Sequence, residues 1–321
     1  MSQLTGLAGT TGGVPPLAAT IPAAGVGRNA PWRQRPKWVT PWLFLLAPLG
    51  LLITFTYIPV GNMIWYSFTS WNGISKVQQV VGLDNYGQIF SDPTIFNVFY
   101  VSLFYVGASI LQMGLALYFA TILSFKTRFR NFFKGVLFFP YLINGVAIGL
   151  VFLYFFQPGG TLDLILKNFG LAQLTTQWLG NPDVANFSLA GTSVWRYTGL
   201  NFVLFLGAIQ SIPAQLYEAA DLDGANKWQQ FRFIIMPGIK RIISLSFILA
   251  ISGSLAVFEI PFIMTGGANG TATFVITTIQ QAFTFRHVGL ASAMAVILLL
   301  IVLIVTYVQR KLVPDDEVNI S

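Results

Sequence analysis

Apolar residues run in long unbroken stretches along this chain, and charged residues fall almost entirely between them. Residues 38–75, 93–125 and 135–162 carry no charge; 184–217 are interrupted only by Arg196, 242–285 only by Glu259, and 288–309 close the series. A helix needs about 20 apolar residues to cross a bilayer, whereas a membrane barrel shows alternating segments of about 10. The continuous runs therefore predict an all-α membrane protein with six spans, near residues 42–70, 96–125, 133–157, 187–211, 242–263 and 288–309. Pro48, Pro59 and Pro140 fall inside spans and mark expected kinks, which membrane helices tolerate where neighbours re-satisfy the backbone.

Composition excludes the soluble alternatives. Of 321 residues, 55% are hydrophobic and 9% charged, against roughly 25% charged in a soluble domain. The chain has no cysteine, hence no disulfide, thiolate metal site or cysteine nucleophile, and its one histidine leaves zinc and Ser-His-Asp chemistry without material. That residue, His287, reads as a solvated loop histidine at the start of span 6. A net charge of +7 would point to nucleic acid in a soluble protein, but position accounts for it here. Fourteen of the 18 basic residues lie before span 1, between spans 2 and 3, between spans 4 and 5, and after span 6. The positive-inside rule then places both termini in the cytoplasm. Residues 1–36, dominated by Gly, Pro, Ala and Thr, predict a disordered cytoplasmic tail, and 312–321 a second tail. Trp32, Trp38 and Trp42 suit the inner interface.

The connection over residues 211–240 is long for a helical bundle. Pro213 fits a first helical turn, Gly224 suits the left-handed position that ends a helix, and a second helix is expected from about Ala225 until Pro237 stops it. Leu216, Ala220 and Asp223 share one face, and the small Ala219 and Ala220 allow close approach of another backbone. By itself this is either a docking element or an interfacial helix lying on lipid.

Glu218-Ala219-Ala220, then Asp223-Gly224-Ala225, Ile234 and Pro237, resembles the EAA loop of binding-protein-dependent ABC importer permeases, in the sugar-uptake branch of maltose and glycerol-phosphate permeases. Met236 stands where that branch has Leu. The similarity spans about residues 41–311. Val81-Gly82-Leu83-Asp84-Asn85-Tyr86 is similar to the external segment after span 1. Thr161-Leu162-Asp163 to Gly170-Leu171 resembles the segment after span 3, with Asp163 where Asn is common. Ile260 to Gly267 resembles the outward end of span 5, with Ala268-Asn269 in place of Gly-Pro. The resemblance implies a type I permease fold: span 1 and an external segment over 37–94, and a permease core over 95–311. It also implies a subunit that hydrolyses nothing itself, and the chain has no Gly-Lys pair and so no P-loop. ATP and Mg would be bound by two cytoplasmic ABC ATPases. The other implied partners are a second permease subunit (usually a different one), an external substrate-binding protein and membrane lipid, with no nucleic acid. The location implied is a bacterial or archaeal plasma membrane. Glu218, Ala219, Ala220, Asp223, Gly224 and Pro237 are the coupling candidates, Glu218 for an ion pair with the ATPase and Gly224 for the turn.

Ionisable residues inside spans are costly and are functional candidates by default. Glu259 lies 18 residues beyond Arg241 and Arg196 15 before Ser211, which puts both at roughly 22–27 Å from the cytoplasmic interface at 1.5 Å per residue. Either they pair or face the translocation path near its outer gate, or each reaches separately for the outer interface. A sugar path needs aromatic faces and groups that bond hydroxyls. Trp195, Tyr197 and Asn201 in span 4, Asn144 in span 3, and Ser252 and Ser254 in span 5 are the candidates, though each also serves as helix-packing material. The solute expected is a sugar or polyol derivative. The alternative is the same architecture for an amino acid, phosphate ester or metal chelate. A membrane enzyme would want clustered acidic or histidine residues, and outside the EAA loop only Asp315-Asp316-Glu317 cluster.

Overall fold

The structure is a computed structural model that describes residues 39–125 and 128–312. The tail expected over residues 1–36, and that expected over 312–321 apart from Leu312, lie outside the described residues. The chain falls into two compact units, residues 1–56 and 57–321. In the first, α1 (Val39–Leu52) is an apolar helix with Pro48 inside it, followed by a π-helical turn that opens at Ile53.

The second unit is helical almost throughout, and its chain order is α2 (Ile58–Tyr66), α3 (Asp84–Ser91), α4 (Pro93–Ser124), α5 (Arg130–Leu142), α6 (Gly145–Phe156), α7 (Thr161–Asn168) and α8 (Pro182–Gln210). Then come α9 (Ala214–Leu222), α10 (Lys227–Gln230), α11 (Met236–Gly238), α12 (Lys240–Leu255), α13 (Glu259–Thr265), α14 (Phe274–Ile279) and α15 (Val288–Leu312). One isolated antiparallel bridge, Thr69 with Val80, is the only β pairing among the described residues. Four runs are long and apolar enough to cross a membrane: Phe44–Tyr66, Pro93–Ser124, Lys240–Thr265 and Val288–Val308. Counting each bent helix pair as one span raises the number to six.

Span 3, expected over 133–157 with a kink at Pro140, is bent more sharply than a kinked helix. It is α5 and α6, meeting at 97°. Ile143 and Asn144 adopt extended ψ angles of 137° and 139°, and Asn144 restarts the helix by accepting the Val146 N–H at 2.9 Å. Pro140, in the last turn of α5, has no N–H to continue the ladder. Span 5 is interrupted too, because residues 256–258 leave the helix before Glu259 opens α13.

Three buried clusters hold these helices. Met113, Phe202, Phe205 and Ile209 pack with Ile235 and Ile239, binding α4 and α8 to the segment after α10. Val101, Tyr105, Leu189, Ile260 and Met264 join α4, α8 and α13. Ile89, Ile95, Phe274 and Met294 join α3 and α14 to α4 and α15. Asn85 fastens the segment after span 1 by donating to Ser67 O (2.8 Å) and Thr69 O (2.9 Å), and the Tyr86 and Ser67 hydroxyls lie 2.7 Å apart.

Candidate functional site

Helices α4, α8 and the α12–α13 break line a partly open cavity of about 300 Å³. Its lining is mixed. Ala108, Leu200, Leu204, Leu249 and Val257 give apolar wall; Tyr105, Gln112, Tyr197, Asn201, Ser254 and Glu259 supply polar groups. Four sequence candidates thus meet in one space: Tyr197, Asn201, Ser254 and Glu259. Three others lie elsewhere. Asn144 caps α6, Trp195 packs on Phe152 with ring centroids 5.2 Å apart, and Ser252 is half-buried outside the cavity lining. Tyr105 and Gln112 were not among the candidates. A polar side chain on an apolar helix, recurring at i and i+7 with Ser109 between them, was the available signal. The Tyr105 hydroxyl is buried with no hydrogen-bond partner among the described residues, an arrangement that a hydroxyl-bearing solute would satisfy.

Arg196 and Glu259 form an ion pair, Nη1 to Oε2 at 2.8 Å. Of the readings left open by sequence, the geometry is that of a pair. The Arg196 side chain is 11% exposed and that of Glu259 50%, so the arginine is sunk between helices while the glutamate side chain stays half-exposed at the cavity wall. The guanidinium also lies 5.0 Å from the Tyr197 ring centroid and donates to the Tyr197 hydroxyl at 3.3 Å. A charge at this depth needs such partners, because an isolated ion in low dielectric is strongly disfavoured.

The second candidate region is the elbow between α9 and α10. Gly224 has φ +75°, the left-handed conformation expected of it. Ala225 N–H donates to Ala220 O at 2.8 Å and Gly224 N–H to Asp221 O at 3.2 Å, the two bonds of a Schellman motif. Asn226 opens α10 with a reciprocal capping box to Gln229. Sequence reasoning missed Gln230: it is 1% exposed, donates to the Asp221 carboxylate, and receives a bond from Lys227 Nζ at 3.0 Å. The helical run that α10 opens continues through a π-helical turn over Phe231–Ile235 into α11 and ends at Gly238, one residue past the Pro237 expected to stop it. Along α9 no residue is buried. Glu218, Ala219 and Asp223 are exposed, Ala220 is half-buried, and Leu216 and Leu222 present apolar surface.

Two connecting segments, those after spans 3 and 5, are held by specific hydrogen bonds. The Trp178 indole and the Gly159 N–H, each at 2.8 Å, hold the buried Asp163 carboxyl below the usual carboxylate range; its burial opposes the shift and Lys167 adds to it. After α13, Gly266, Gly267, Asn269 and Gly270 all take positive φ, so Asn269 fills a left-handed position that asparagine tolerates, and its amide donates to Leu179 O at 2.9 Å. Among the described residues no group of three His, Asp or Glu side chains is placed to hold a metal ion.

Residues 112–315, which contain the elbow and most of the cavity wall, match the family described as binding-protein-dependent transport system inner membrane component. The chain belongs to that family. It is the permease subunit of an ABC transporter and a multi-pass membrane protein. It is 36% identical over 279 residues to the probable ABC transporter permease protein YurN of Bacillus subtilis (strain 168), covering 85% of this chain and 95% of that one. It is 32% identical over 280 residues to the multiple sugar-binding transport system permease protein MsmF of Streptococcus mutans, covering 86% and 96%. A crystal structure of a bacterial ABC transporter that imports the acidic polysaccharide alginate superposes with a TM-score of 0.73 at 22% identity, over 85% of this permease and 96% of that chain. This likeness shows the shared fold.

Proposed function

We propose that this permease forms part of an import path for an uncharged sugar, short oligosaccharide or polyol derivative. The observation that carries the reading is the cavity: one partly open space with two tyrosines, two amides, serines and one carboxylate set in an apolar wall. Hydroxyl-rich solutes bind through such neutral donor–acceptor pairs, while apolar surface takes the faces of the ring. The names of relatives support it, among them MsmF and the arabinooligosaccharides permease AraP of Bacillus subtilis, which is 29% identical over 303 residues.

In this reading both termini are cytoplasmic, in a bacterial or archaeal plasma membrane, and the α9–α10 elbow docks on a cytoplasmic ATPase that binds ATP and Mg. Glu218 pairs with that ATPase, and Ala219 and Ala220 allow close contact. Two such ATPases, a second and different permease, and an external binding protein complete the importer. The exposed apolar residues of α9 and the rigid turn at Gly224 support the docking role. The test is uptake of radiolabelled mono- and disaccharides by the reconstituted importer, with Asn201→Leu and Gln112→Leu variants. Loss of sugar uptake in both, with assembly intact, is expected. Unchanged uptake in both would move the path away from this cavity.

A further inference from the structure

The break in span 3 and the break in span 5 meet at the Arg196–Glu259 pair, and a glycine lies under the contact. A Cβ added at Gly145 would overlap both the Glu259 carboxylate and the Arg196 guanidinium. One turn further along α6, a Cβ at Gly149 would lie 2.8 Å from Ile263 Cγ2 and 2.9 Å from Ile263 Cβ. Gly145 and Gly149 are four residues apart, as are Glu259 and Ile263, so two matched positions on α6 and α13 bring the helices into direct contact. The other half of span 3 is seated in the same manner. A Cβ at Gly199 of α8 would lie 2.5 Å from Leu137 O in α5. Glycine contacts therefore fix α5 on α8 and α6 on α13. The one ionic link from α13 to α8 is the pair itself, among the described residues.

We propose that Gly145 is a positioning residue for transport: it makes room for the Glu259 carboxylate over the start of α6, where that carboxylate both holds Arg196 and faces the cavity. The first N–H groups of α6 have no partner within the helix and carry its positive end, so a carboxylate placed there is favoured electrostatically. A side chain at 145 would push the carboxylate off both the helix end and the guanidinium. Arg196, whose Nε is already buried without a partner among the described residues, would then lose its counter-charge, and the α6–α13 body would lose its ionic tie to α8. The inference does not depend on which solute is carried.

The experiment is ATP hydrolysis by the complete importer in proteoliposomes, with and without its solute-loaded binding protein, alongside the melting temperature of the purified complex. Gly145→Ala should cut the stimulation of hydrolysis by about tenfold, within the range of ordinary coupling between sites. Glu259→Asp, one methylene shorter, should restore most of it in the Gly145→Ala background, because the carboxylate withdraws from the new Cβ. Glu259→Asp should not rescue Gly149→Ala, whose added Cβ meets Ile263 instead. Normal stimulation in Gly145→Ala, failure of Glu259→Asp to rescue it, or equal rescue of Gly149→Ala would each overturn the proposal. If Gly145→Ala does not assemble, Arg196→Met removes the tie with the glycine intact. Lost stimulation at an unchanged melting temperature then supports the proposal, and normal stimulation overturns it.

Discussion

Two ion pairs occur among the described residues, and they hold their surroundings in opposite ways. Lys227–Asp221 spans the elbow at 3.3 Å with its side chains 61% and 59% exposed; Arg196–Glu259 joins α8 to α13 at 2.8 Å, 11% and 50% exposed. Exposed pairs contribute about 0–1 kcal/mol, because water solvates both ions nearly as well apart as together. At the elbow the shape comes from the backbone: a left-handed glycine, two Schellman bonds and a capping box. At the cavity the backbone is broken twice, and a side-chain pair ties one broken end, at Glu259, to the continuous helix α8. The exposed elbow is thus built on rigid local geometry, and the region facing the cavity on a side-chain contact.

That contrast can be broken at either end. The largest effect is expected from Gly224→Pro. It cannot adopt φ +75° and loses the N–H that bonds Asp221, so solute-stimulated ATP hydrolysis should be abolished while membrane insertion, read by fractionation, survives. Gly224→Ala has open space around its Cβ and should cost only the backbone strain of about 1–2 kcal/mol, read as a melting shift. Next is Arg196→Glu. Leaving two carboxylates at the cavity wall should reduce uptake at least tenfold, about 1.4 kcal/mol or more. The swap Arg196→Glu/Glu259→Arg should recover part of it. A double variant no better than the worse single would reduce the pair to two independent anchors.

Smaller effects sharpen the comparison. Gln230→Leu removes a buried bond to Asp221 and should cost about 1 kcal/mol, whereas Lys227→Met in the same network should cost less than about 1 kcal/mol. If Lys227→Met proved the costlier, the elbow would be held ionically after all. The smallest is a pH effect. The folded carboxyl of Asp163 is held below its unfolded value of about 3.9, so its contribution is full above that value and lost as pH falls through the folded pKa. The melting temperature of Asp163→Asn should therefore fall less steeply below pH 4 than that of the wild type.

The apolar runs and the basic residues between them were legible from sequence, because a bilayer imposes length and polarity on each span separately. The elbow was legible for a related reason. Gly224 at a left-handed turn and Asn226 before a helix act through bonds to residues within six positions, so local spacing carries the information. Tertiary structure alone decided the remainder. Pro140 marked a kink in span 3, but its size, 97°, and the restart at Asn144 follow from how the two halves pack. Nothing in the sequence marked Gln230, which the return of the chain buries against Asp221. Equal depth brought Arg196 and Glu259 within reach on paper, but depth does not fix the angle around a helix axis. Their contact, and the need for glycine at 145 beneath it, depend on how three helices rotate against one another. That rotation is set by side-chain packing over positions 51 to 114 residues apart in the chain, as with Gly145 and Arg196 or Glu259, and no periodicity in a single segment records it.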